Sequence, residues 1–342
     1  MKALKYYNQR DIRFEEIEIP EPKADEVRVR VTDVGLCQTQ VNEFIEGPYL
    51  INKELHPMTN KSIPLIPGHE YGGIIDKVGS ESSSDLVGKQ VAILPLLPCG
   101  KCEYCQSGDI NLCDTFAYYG LSGEDGGLAD YSVIKKDNIV EIENKELLTY
   151  IEPILIGIHV NNMMQYYKDN DNILILGAGA IGISIAAVLK DYGHKNIIMT
   201  DSMTNRLHRA SQAGFKTITK DELIDKKYSF VIDSAGSDTY NKTSAIVEAF
   251  NYIKKAGTVI GLGTYFHKVS IEPIPMMVFE YKMIWAFSYN QSDIKSLLEV
   301  LKSLTTDFSI FSESIDIDNI IDEGYFRAEV DKDSFTRLVV KC

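Results

Sequence analysis

The segment from residue 173 to residue 182 most constrains the fold of this chain. A short apolar run, ILIL, leads into GAGAIG (residues 177–182), and an apolar stretch of helical character follows. A strand, this glycine spacing and a helix together favour a dinucleotide-binding unit. Gly177 permits a tight turn, Gly179 lets the backbone approach a pyrophosphate, and Gly182 lets helix and strand pack closely. Phosphates would bind free N–H groups at the helix start, around Ala180 and Ile181.

The cofactor type is predicted from Asp201, which ends the next apolar run 19 positions after Gly182. A carboxylate there accepts hydrogen bonds from the adenosine ribose and repels a 2′-phosphate, so we expect NAD rather than NADP. A glycine-rich turn in a plain strand–helix unit is the alternative. Ser202 and Arg206, which follow Asp201, are further candidates for cofactor contact. Others lie at the ends of later strand-like runs, and for each of these alone a turn residue is an equal interpretation: Asp233, Ser234, Gly236, Gly261 and Gly263.

Apolar runs and helical stretches alternate from residue 170 onward, which is typical of a parallel, doubly wound sheet. The expected strands are residues 172–176, 196–200, 230–233 and 258–260. The pattern ends near residue 285. The last strand-like segment, residues 334–341, could rejoin the first domain.

Residues 1–150 have a different character. Residues 26–31 alternate polar and apolar side chains, as a half-buried strand does, and residues 72–78 and 89–94 are further strand candidates between Gly and Ser turns. Short strands at such spacing favour an antiparallel barrel or sandwich.

Four of the six cysteines fall within residues 99–113, at Cys99, Cys102, Cys105 and Cys113. Such a cluster in a reducing compartment indicates metal binding rather than disulfides. Four thiolates suit one tetrahedral zinc and leave no open position, so the ion would be structural. An iron–sulfur cluster is the alternative, which colour and elemental analysis would distinguish.

A second constellation mixes ligand types. It comprises Cys37, the pair His69-Glu70, and Glu152 just before the dinucleotide-binding segment. Cysteine, histidine and carboxylate ligands are those of open, catalytic zinc sites. Alone, Cys37 would be an ordinary buried residue and His69 a structural histidine, and spacing does not show that they converge.

Composition excludes several functional classes. The chain has 342 residues and a formal net charge of -14, whereas proteins that bind nucleic acids or anionic membranes need basic surface. Residues 173–189 form the longest charge-free apolar run, a marginal membrane span by length, but they contain the glycine-rich turn. The N-terminus lacks an apolar signal segment. We therefore expect a two-domain, cytoplasmic protein.

In their order along the chain, these motifs resemble the zinc-containing medium-chain alcohol dehydrogenases. The order is the Cys37 motif, Gly-His-Glu, the four-cysteine lobe, Glu-Pro, and the glycine-rich turn. Within that family the chain is most similar to the 2,3-butanediol and sorbitol dehydrogenase branch. The similar segments are residues 46–48 (EGP), 56–59 (HPMT) and 120–123 (GLSG), and Glu152-Pro153 with His159.

The resemblance implies an α/β plus β fold. A GroES-like catalytic domain would span residues 1–152 and 286–342, with a zinc lobe at about 95–116, and a Rossmann domain would span residues 153–285. Cys37 and His69 would bind the catalytic zinc, with Glu70 or Glu152 as carboxylate, directly or through water. Thr39 would hydrogen-bond the substrate oxygen and carry its proton. Two zinc ions per chain, NAD and a homodimer or homotetramer are also implied.

The chain departs from the family pattern at two positions. Gln40 stands where aspartate commonly steadies the zinc-bound histidine, so His69 would be a slightly weaker donor. Asn42 stands where histidine often relays protons, and asparagine cannot titrate. Proton release would then go directly to water or through another group.

The resemblance implies hydride transfer between NAD(H) and a small secondary alcohol or vicinal diol and its ketone, such as 2,3-butanediol and acetoin. The alternative is a polyol, sugar or polyol-phosphate dehydrogenase. Residues 44–61, expected to line the substrate, carry only Lys53 and Lys61 as basic groups, a weak basis for a phosphate site. A third hypothesis is a dinucleotide-binding protein without catalysis, for which Gln40 and Asn42 are the only support.

Overall fold

The structure, a computed structural model, describes residues 1–164, 166–224, 226–238 and 243–342. The chain divides into two units. The first comprises Met1–Glu152, Ser312–Lys332 and Arg337–Cys342, and the second comprises Pro153–Phe311 and Asp333–Thr336.

The alternating pattern of residues 26–31 does form a strand in the first unit, because Val27, Val29 and Val31 are buried while Arg28 and Arg30 between them are more exposed. The elements of this part are β1 (Lys2–Asn8), β2 (Asp11–Glu16), β3 (Glu26–Gly35), α1 (Gln38–Ile45), β4 (Glu70–Val78), β5 (Gln90–Ile93), β6 (Leu96–Leu97), α2 (Glu103–Ser107), β7 (Ala117–Tyr119), β8 (Gly123–Glu124), β9 (Tyr131–Lys135) and β10 (Ile139–Glu141). Short 3-10 turns cover Ser84–Leu86, Ile110–Leu112, Lys136–Asn138 and Lys145–Leu147.

Strands β11 and β14 of the second unit are buried along their whole length, as strands covered on both faces are. The elements are α3 (Ile151–Met163), β11 (Ile173–Leu176), α4 (Ala180–Asp191), β12 (Ile197–Thr200), α5 (Thr204–Gln212), β13 (Lys216–Thr217), β14 (Tyr228–Asp233), β15 (Ser237–Asp238), β16 (Thr243–Ser244), α6 (Ala245–Tyr252), β17 (Ile253–Gly261), α7 (Pro273–Val278), β18 (Lys282–Trp285) and α8 (Gln291–Ser303), with 3-10 turns at Asp221–Leu223 and Phe308–Phe311.

Six of these strands form a parallel sheet in the order β13-β12-β11-β14-β17-β18. Helix α4 packs against β11 and β12, and α6 packs against β14 and β17. The doubly wound prediction is confirmed. Because the strands are parallel, the ends of β11, β12, β14 and β17 meet at one edge of the sheet, and that edge positions the candidate cofactor residues.

After Phe311 the chain returns to the first unit through β19 (Ser312–Asp316), a 3-10 turn (Ile317–Asn319), a π-helical segment (Ile320–Phe326), α9 (Arg327–Val330) and β20 (Arg337–Lys341). Strand β20 pairs with β19 on one side and with the end of β3 on the other. The larger sheet of this unit has the order β10-β5-β4-β3-β20-β19, and β9 also pairs with β3. The C-terminal strand therefore rejoins the first domain, as expected.

The second unit begins at Pro153 and continues as far as Phe311. It thus extends beyond residue 285, where the sequence analysis placed the end of the Rossmann domain. The reason is α8, which packs against α4. Its buried Asp293 also bonds Nδ1 of His159 on α3 at 2.8 Å. Within the described ranges, no helix combines the length and apolar character that a membrane span requires.

Candidate functional site

Four cysteine sulfurs converge in the lobe between β6 and β7. The Sγ atoms of Cys99, Cys102, Cys105 and Cys113 all lie within 4.8 Å of one another. Cys105 Sγ lies 3.9 Å from Cys99 Sγ and 3.5 Å from Cys102 Sγ. Sulfurs bound tetrahedrally to zinc stand about 3.8 Å apart, given a Zn–S bond of about 2.3 Å. All four are free thiols, and sulfurs this close fit a single ion better than a multi-iron cluster.

The lobe folds locally around its backbone. Helix α2 begins after Cys102, carries Cys105, and ends at Gly108, whose φ of 93° is left-handed. Backbone N–H groups of Lys101 and Cys102 lower the pKa of Cys99 to about 6, whereas burial raises the pKa of Cys105 to about 12. Four converging thiols bind a divalent cation as thiolates, with release of their protons. The donor chemistry therefore fits a divalent metal.

The second group forms where β3 ends and β4 begins. Gly35 pairs with Glu70 in the antiparallel register, so Cys37, just beyond β3, meets His69, just before β4. Ligand atoms of Cys37, His69 and Glu70 lie within 4.8 Å of one another. His69 is buried, and its Nδ1 has no hydrogen-bond partner among the described residues. Burial lowers the pKa of His69 and raises that of Cys37, so a neutral imidazole is available to a cation that would ionise the thiol.

The carboxylate of this group is paired with Arg337 on β20. Arg337 Nη2 donates to Glu70 Oε2 at 2.5 Å, and both side chains are about 1% exposed. The same nitrogen donates to the carbonyl of Thr149. A Cβ at Gly35 would collide with the guanidinium, so this strand end needs glycine. Sequence reasoning missed Arg337, and the available signal was a basic residue directly before the apolar run of residues 338–340.

Glu152 lies close enough to raise the pKa of Cys37, but it is not among the three groups within 4.8 Å. Its Oε1 accepts a hydrogen bond from Tyr118 Oη at 2.8 Å. Burial, and then the charge of Glu70, raise the pKa of Glu152 to about 8. The ring of Tyr118 also packs edge-on against His69, with centroids 5.8 Å apart. Tyr118 was not a candidate from the sequence, where it is one of 19 tyrosines.

The first turn of α1 completes the surroundings of Cys37. The backbone N–H and the hydroxyl of Thr39 lie close enough to the Cys37 thiol to lower its pKa, against the larger rise that burial causes. Gln40 is buried, and its Oε1 accepts from the Cys37 backbone N–H at 3.2 Å. Its amide nitrogen, like His69 Nδ1, has no partner among the described residues. Gln40 thus caps the helix and leaves His69 without the carboxylate partner that the family pattern supplies. Asn42 accepts a hydrogen bond from Gln38 at the surface.

The glycine-rich turn has the geometry that its spacing predicts. Gly177 has a φ of 106°, a conformation that favours glycine. A Cβ at Gly182 would collide with the Gly177 carbonyl, whereas one at Gly179 would meet only the Arg206 side chain, at 3.7 Å. Ala180 and Ile181 begin α4 and are half-buried. The backbone is therefore accessible where a pyrophosphate would bind and closely packed behind it.

Asp201 follows β12 and faces this turn. Its Oδ2 accepts from the Ala178 N–H at 2.7 Å, and its Oδ1 accepts from the Met203 N–H at 2.8 Å. Ser202 is exposed beside it. Arg206 Nε donates to the Phe335 carbonyl at 3.1 Å. The guanidinium of Arg206 therefore already has a hydrogen-bond partner in the second unit. These contacts fix the Asp201 carboxylate at the edge of the turn.

Ser234 and Gly261 lie at the ends of β14 and β17. Ser234 Oγ donates to the Leu176 carbonyl at 2.9 Å, which joins two strand ends, and Gly261 pairs with Asp233. Asp233 is fully buried and accepts from Tyr265 Oη at 2.6 Å. Sequence reasoning did not identify Tyr265, which lies 32 residues from its partner.

Comparison with known proteins identifies the family. Residues 23–144 match the model of the alcohol dehydrogenase GroES-like domain. Sorbitol dehydrogenase of Bombyx mori is 30% identical over 301 residues, which cover 81% of each chain. The starvation-sensing protein RspB of Escherichia coli K12 is 35% identical over 218 residues, 63% of this chain and 61% of that protein. Further relatives at 24–29% identity are (R,R)-butanediol dehydrogenases and a sorbitol dehydrogenase.

Solved structures agree with the sequence comparison. The alcohol dehydrogenase rspB of E. coli CFT073, crystallised with NADH, is 26% identical and has a TM-score of 0.84, with 100% of this chain and 99% of that chain covered. The Bombyx mori enzyme is 30% identical to this chain across 81% of both. The N-terminal domain matches the family model, and the second unit has a parallel sheet. On these grounds the chain belongs to the zinc-containing medium-chain alcohol dehydrogenase family.

Proposed function

We propose that this protein is a zinc-dependent oxidoreductase that transfers a hydride between NAD(H) and a small secondary alcohol or vicinal diol and its ketone. The proposal depends above all on the convergence of Cys37, His69 and Glu70, whose ligand atoms lie within 4.8 Å of one another. One thiol, one imidazole and one carboxylate leave a position open for substrate on a four-coordinate ion. The four-cysteine lobe would hold a second, structural ion.

When bound, zinc would polarise the substrate oxygen and NAD would accept the hydride. The chain's own residues position the rest. The hydroxyl of Thr39 lies near the Cys37 thiol and influences its pKa, and there its oxygen would accept the proton of a substrate hydroxyl. Arg337 holds Glu70 in place, and Tyr118 holds Glu152. Burial of these carboxylates strengthens the electrostatic interactions around them.

The expected cofactor preference depends on Asp201. Its carboxylate is fixed at the glycine-rich turn by two backbone N–H groups, where it would accept hydrogen bonds from the ribose and repel a 2′-phosphate. We expect a higher kcat/KM with NAD than with NADP. A preference for NADP in steady-state kinetics would contradict this role.

An unphosphorylated substrate is favoured by the state of Lys61. Its Nζ lies 2.6 Å from Glu124 and 3.3 Å from Asp125, so its positive charge is already paired with two carboxylates. Lys53 is then the only other lysine or arginine of residues 44–61. One exposed lysine is a weak basis for phosphate recognition. This observation disfavours a polyol-phosphate substrate.

A homodimer or homotetramer is supported by the apolar surface of the second unit. Strand β18 is at the edge of its sheet, and Ile274, Met277, Val278 and Trp285, on α7 and β18, are 50–74% exposed. Clustered exposed apolar side chains beside an edge strand favour association. Sedimentation at several concentrations tests this, and a monomer at all of them would contradict it.

The reaction itself is tested by NADH absorbance with zinc-replete protein. Racemic 2,3-butanediol should reduce NAD, and acetoin should oxidise NADH, at higher kcat/KM than sorbitol, xylitol or sorbitol 6-phosphate. Preference for the phosphate would overturn the substrate class. If no secondary alcohol or ketone were turned over, the dehydrogenase function would be wrong and a non-catalytic dinucleotide-binding role would be favoured.

A further inference from the structure

One buried carboxylate has no part in either metal group. Glu43, on α1, is 0% exposed, and no cation pairs with it among the described residues. Its Oε2 accepts from the Tyr49 backbone N–H at 2.8 Å, and its Oε1 accepts from the Leu50 N–H at 2.7 Å. Burial raises the pKa of Glu43, and these N–H groups oppose that rise. Burying a carboxylate without a cation costs free energy. The two backbone hydrogen bonds offset part of that cost, and they indicate that Glu43 holds the backbone of residues 49 and 50 in place.

The contact shapes the chain immediately after α1. We call residues 47–51 the pinned segment. A Cβ on Gly47 would lie 2.5 Å from the Glu43 carbonyl oxygen and 2.7 Å from its Oε2, so the carboxylate and its neighbour fit together only with glycine there. The Glu43 carbonyl itself accepts from Gly47 N–H at 3.0 Å and from Tyr6 Oη at 2.9 Å. Both polar ends of Glu43 therefore tie the segment to the helix and to the core.

The pinned segment is placed relative to the candidate reaction site. Glu43 follows Thr39 by four residues on α1, so the two side chains share one side of the helix. Beyond the segment, Asn52 Oδ1 accepts from Ser122 Oγ at 2.7 Å, which anchors the loop a second time. Between the anchors, the side chains of Tyr49 and Leu50 remain 45% and 44% exposed. Hydrogen bonds to Glu43 thus fix the backbone of the pinned segment, while the side chains of Tyr49 and Leu50 remain partly exposed to solvent.

We propose that Glu43 is a positioning residue for substrate specificity. Its buried carboxylate fixes the pinned segment at a set distance from Thr39, so that Tyr49 and Leu50 contact the part of an alcohol that extends beyond the reacting hydroxyl. An amide side chain offers one acceptor oxygen in place of two, so glutamine cannot hold both N–H groups. This proposal rests on the proposed dehydrogenase function for the identity of the substrate.

The test compares Glu43→Gln with Glu54→Gln, an exposed carboxylate of the same loop. In E43Q we expect the Tyr49 and Leu50 amides to exchange hydrogen at least about tenfold faster, since a charge-assisted bond is lost, with E54Q unchanged. The KM for 2,3-butanediol should rise about fivefold or more while kcat stays within about twofold. The KM for 2-propanol, which has no such extension, should not change.

Gly47→Ala disturbs the same contact from the other side and should reproduce both effects, which covers the case in which E43Q folds poorly. Unchanged amide exchange in both variants would overturn the pinning. Faster exchange with the butanediol KM unchanged would overturn the substrate contact. Absence of turnover in the native enzyme would instead overturn the proposed function together with the substrate part of this inference, while the exchange result would still decide the pinning.

Discussion

The two cysteine-containing groups of the first unit are built in opposite ways. The lobe draws four identical ligands from residues 99–113. The Cys37 group draws three different ligands from the ends of two paired strands, with Arg337 and Glu152 close by. Four sulfurs leave an ion no open position, whereas three mixed ligands do. A structural site can thus be assembled locally, while a reactive one needs sheet register and compensated buried charge.

The largest expected effect on turnover comes from replacing the sulfur ligand of the Cys37 group. Cys37→Ser should lower kcat about 10³-fold or more, roughly 4 kcal/mol of activation free energy, because binding of the proposed catalytic ion would be weakened or lost. Zinc per chain should fall from about two to about one. Steady-state kinetics and elemental analysis measure both.

The matched control is Cys342→Ser, since Cys342 belongs to neither group. Its turnover and zinc content should equal those of the native protein. Native turnover in C37S would remove this group from the mechanism.

The next effect concerns the buried ion pair that only the Cys37 group has. In the metal-free protein, Arg337→Met should lower the free energy of unfolding by about 3 kcal/mol, because Glu70 is then left buried without any cation. Urea denaturation measures the loss.

Adding Glu70→Gln to R337M should recover part of that stability, since both charges are then removed. Equal stability of the single and double variants would show that the pair is not coupled.

A smaller effect is expected at the lobe. Cys99→Ser should lower the free energy of unfolding by roughly 2 kcal/mol through weakened metal binding. It should leave kcat within about twofold at 25 °C, because the ion proposed for the lobe would have no coordination position open to substrate. Urea denaturation, kinetics and zinc analysis test it, and a loss of activity as large as that of C37S would erase the distinction between the two groups.

The smallest effect tests how the Cys37 group exchanges protons. Asn42 lies in the middle of α1, half-buried, and its side chain bonds only Gln38 among the described side chains, so Asn42→His should change the free energy of unfolding by less than about 0.5 kcal/mol. A histidine titrating near its ordinary pKa of about 6.5 should add an inflection to the pH dependence of kcat. Asn42→Gln, which cannot titrate, is the control. Identical profiles for all three proteins would exclude position 42 from proton transfer.

Parts of the fold were predictable because their signals are local. The glycine turn at residues 177–182 and the buried strands around it follow from neighbouring residues, and the parallel sheet confirms that interpretation. The end of the second domain was not predictable, because α8 belongs there through packing on α4 and the His159–Asp293 contact. That contact joins residues 134 positions apart, which periodicity cannot reveal.

The candidate site was predictable only in part. Cys37, His69 and Glu70 were named as ligand types, and the structure brings them together. Arg337 and Tyr118 were not named, since they act through partners 267 and 34 residues away. An arginine in a strand or one tyrosine among many has no distinctive neighbours in the sequence.

The sequence by itself determined the ligand types, the four-cysteine lobe and the glycine-rich turn, because each depends on residues close enough to meet through one turn of backbone. Only the tertiary structure decided that Glu70 joins Cys37 and His69 while Tyr118 holds Glu152. It also decided that Arg337 compensates Glu70 and that Glu43 holds the segment after α1. Strand register and burial determine these contacts, because they decide which charged side chains lie close together in the protein interior, where the dielectric constant is low.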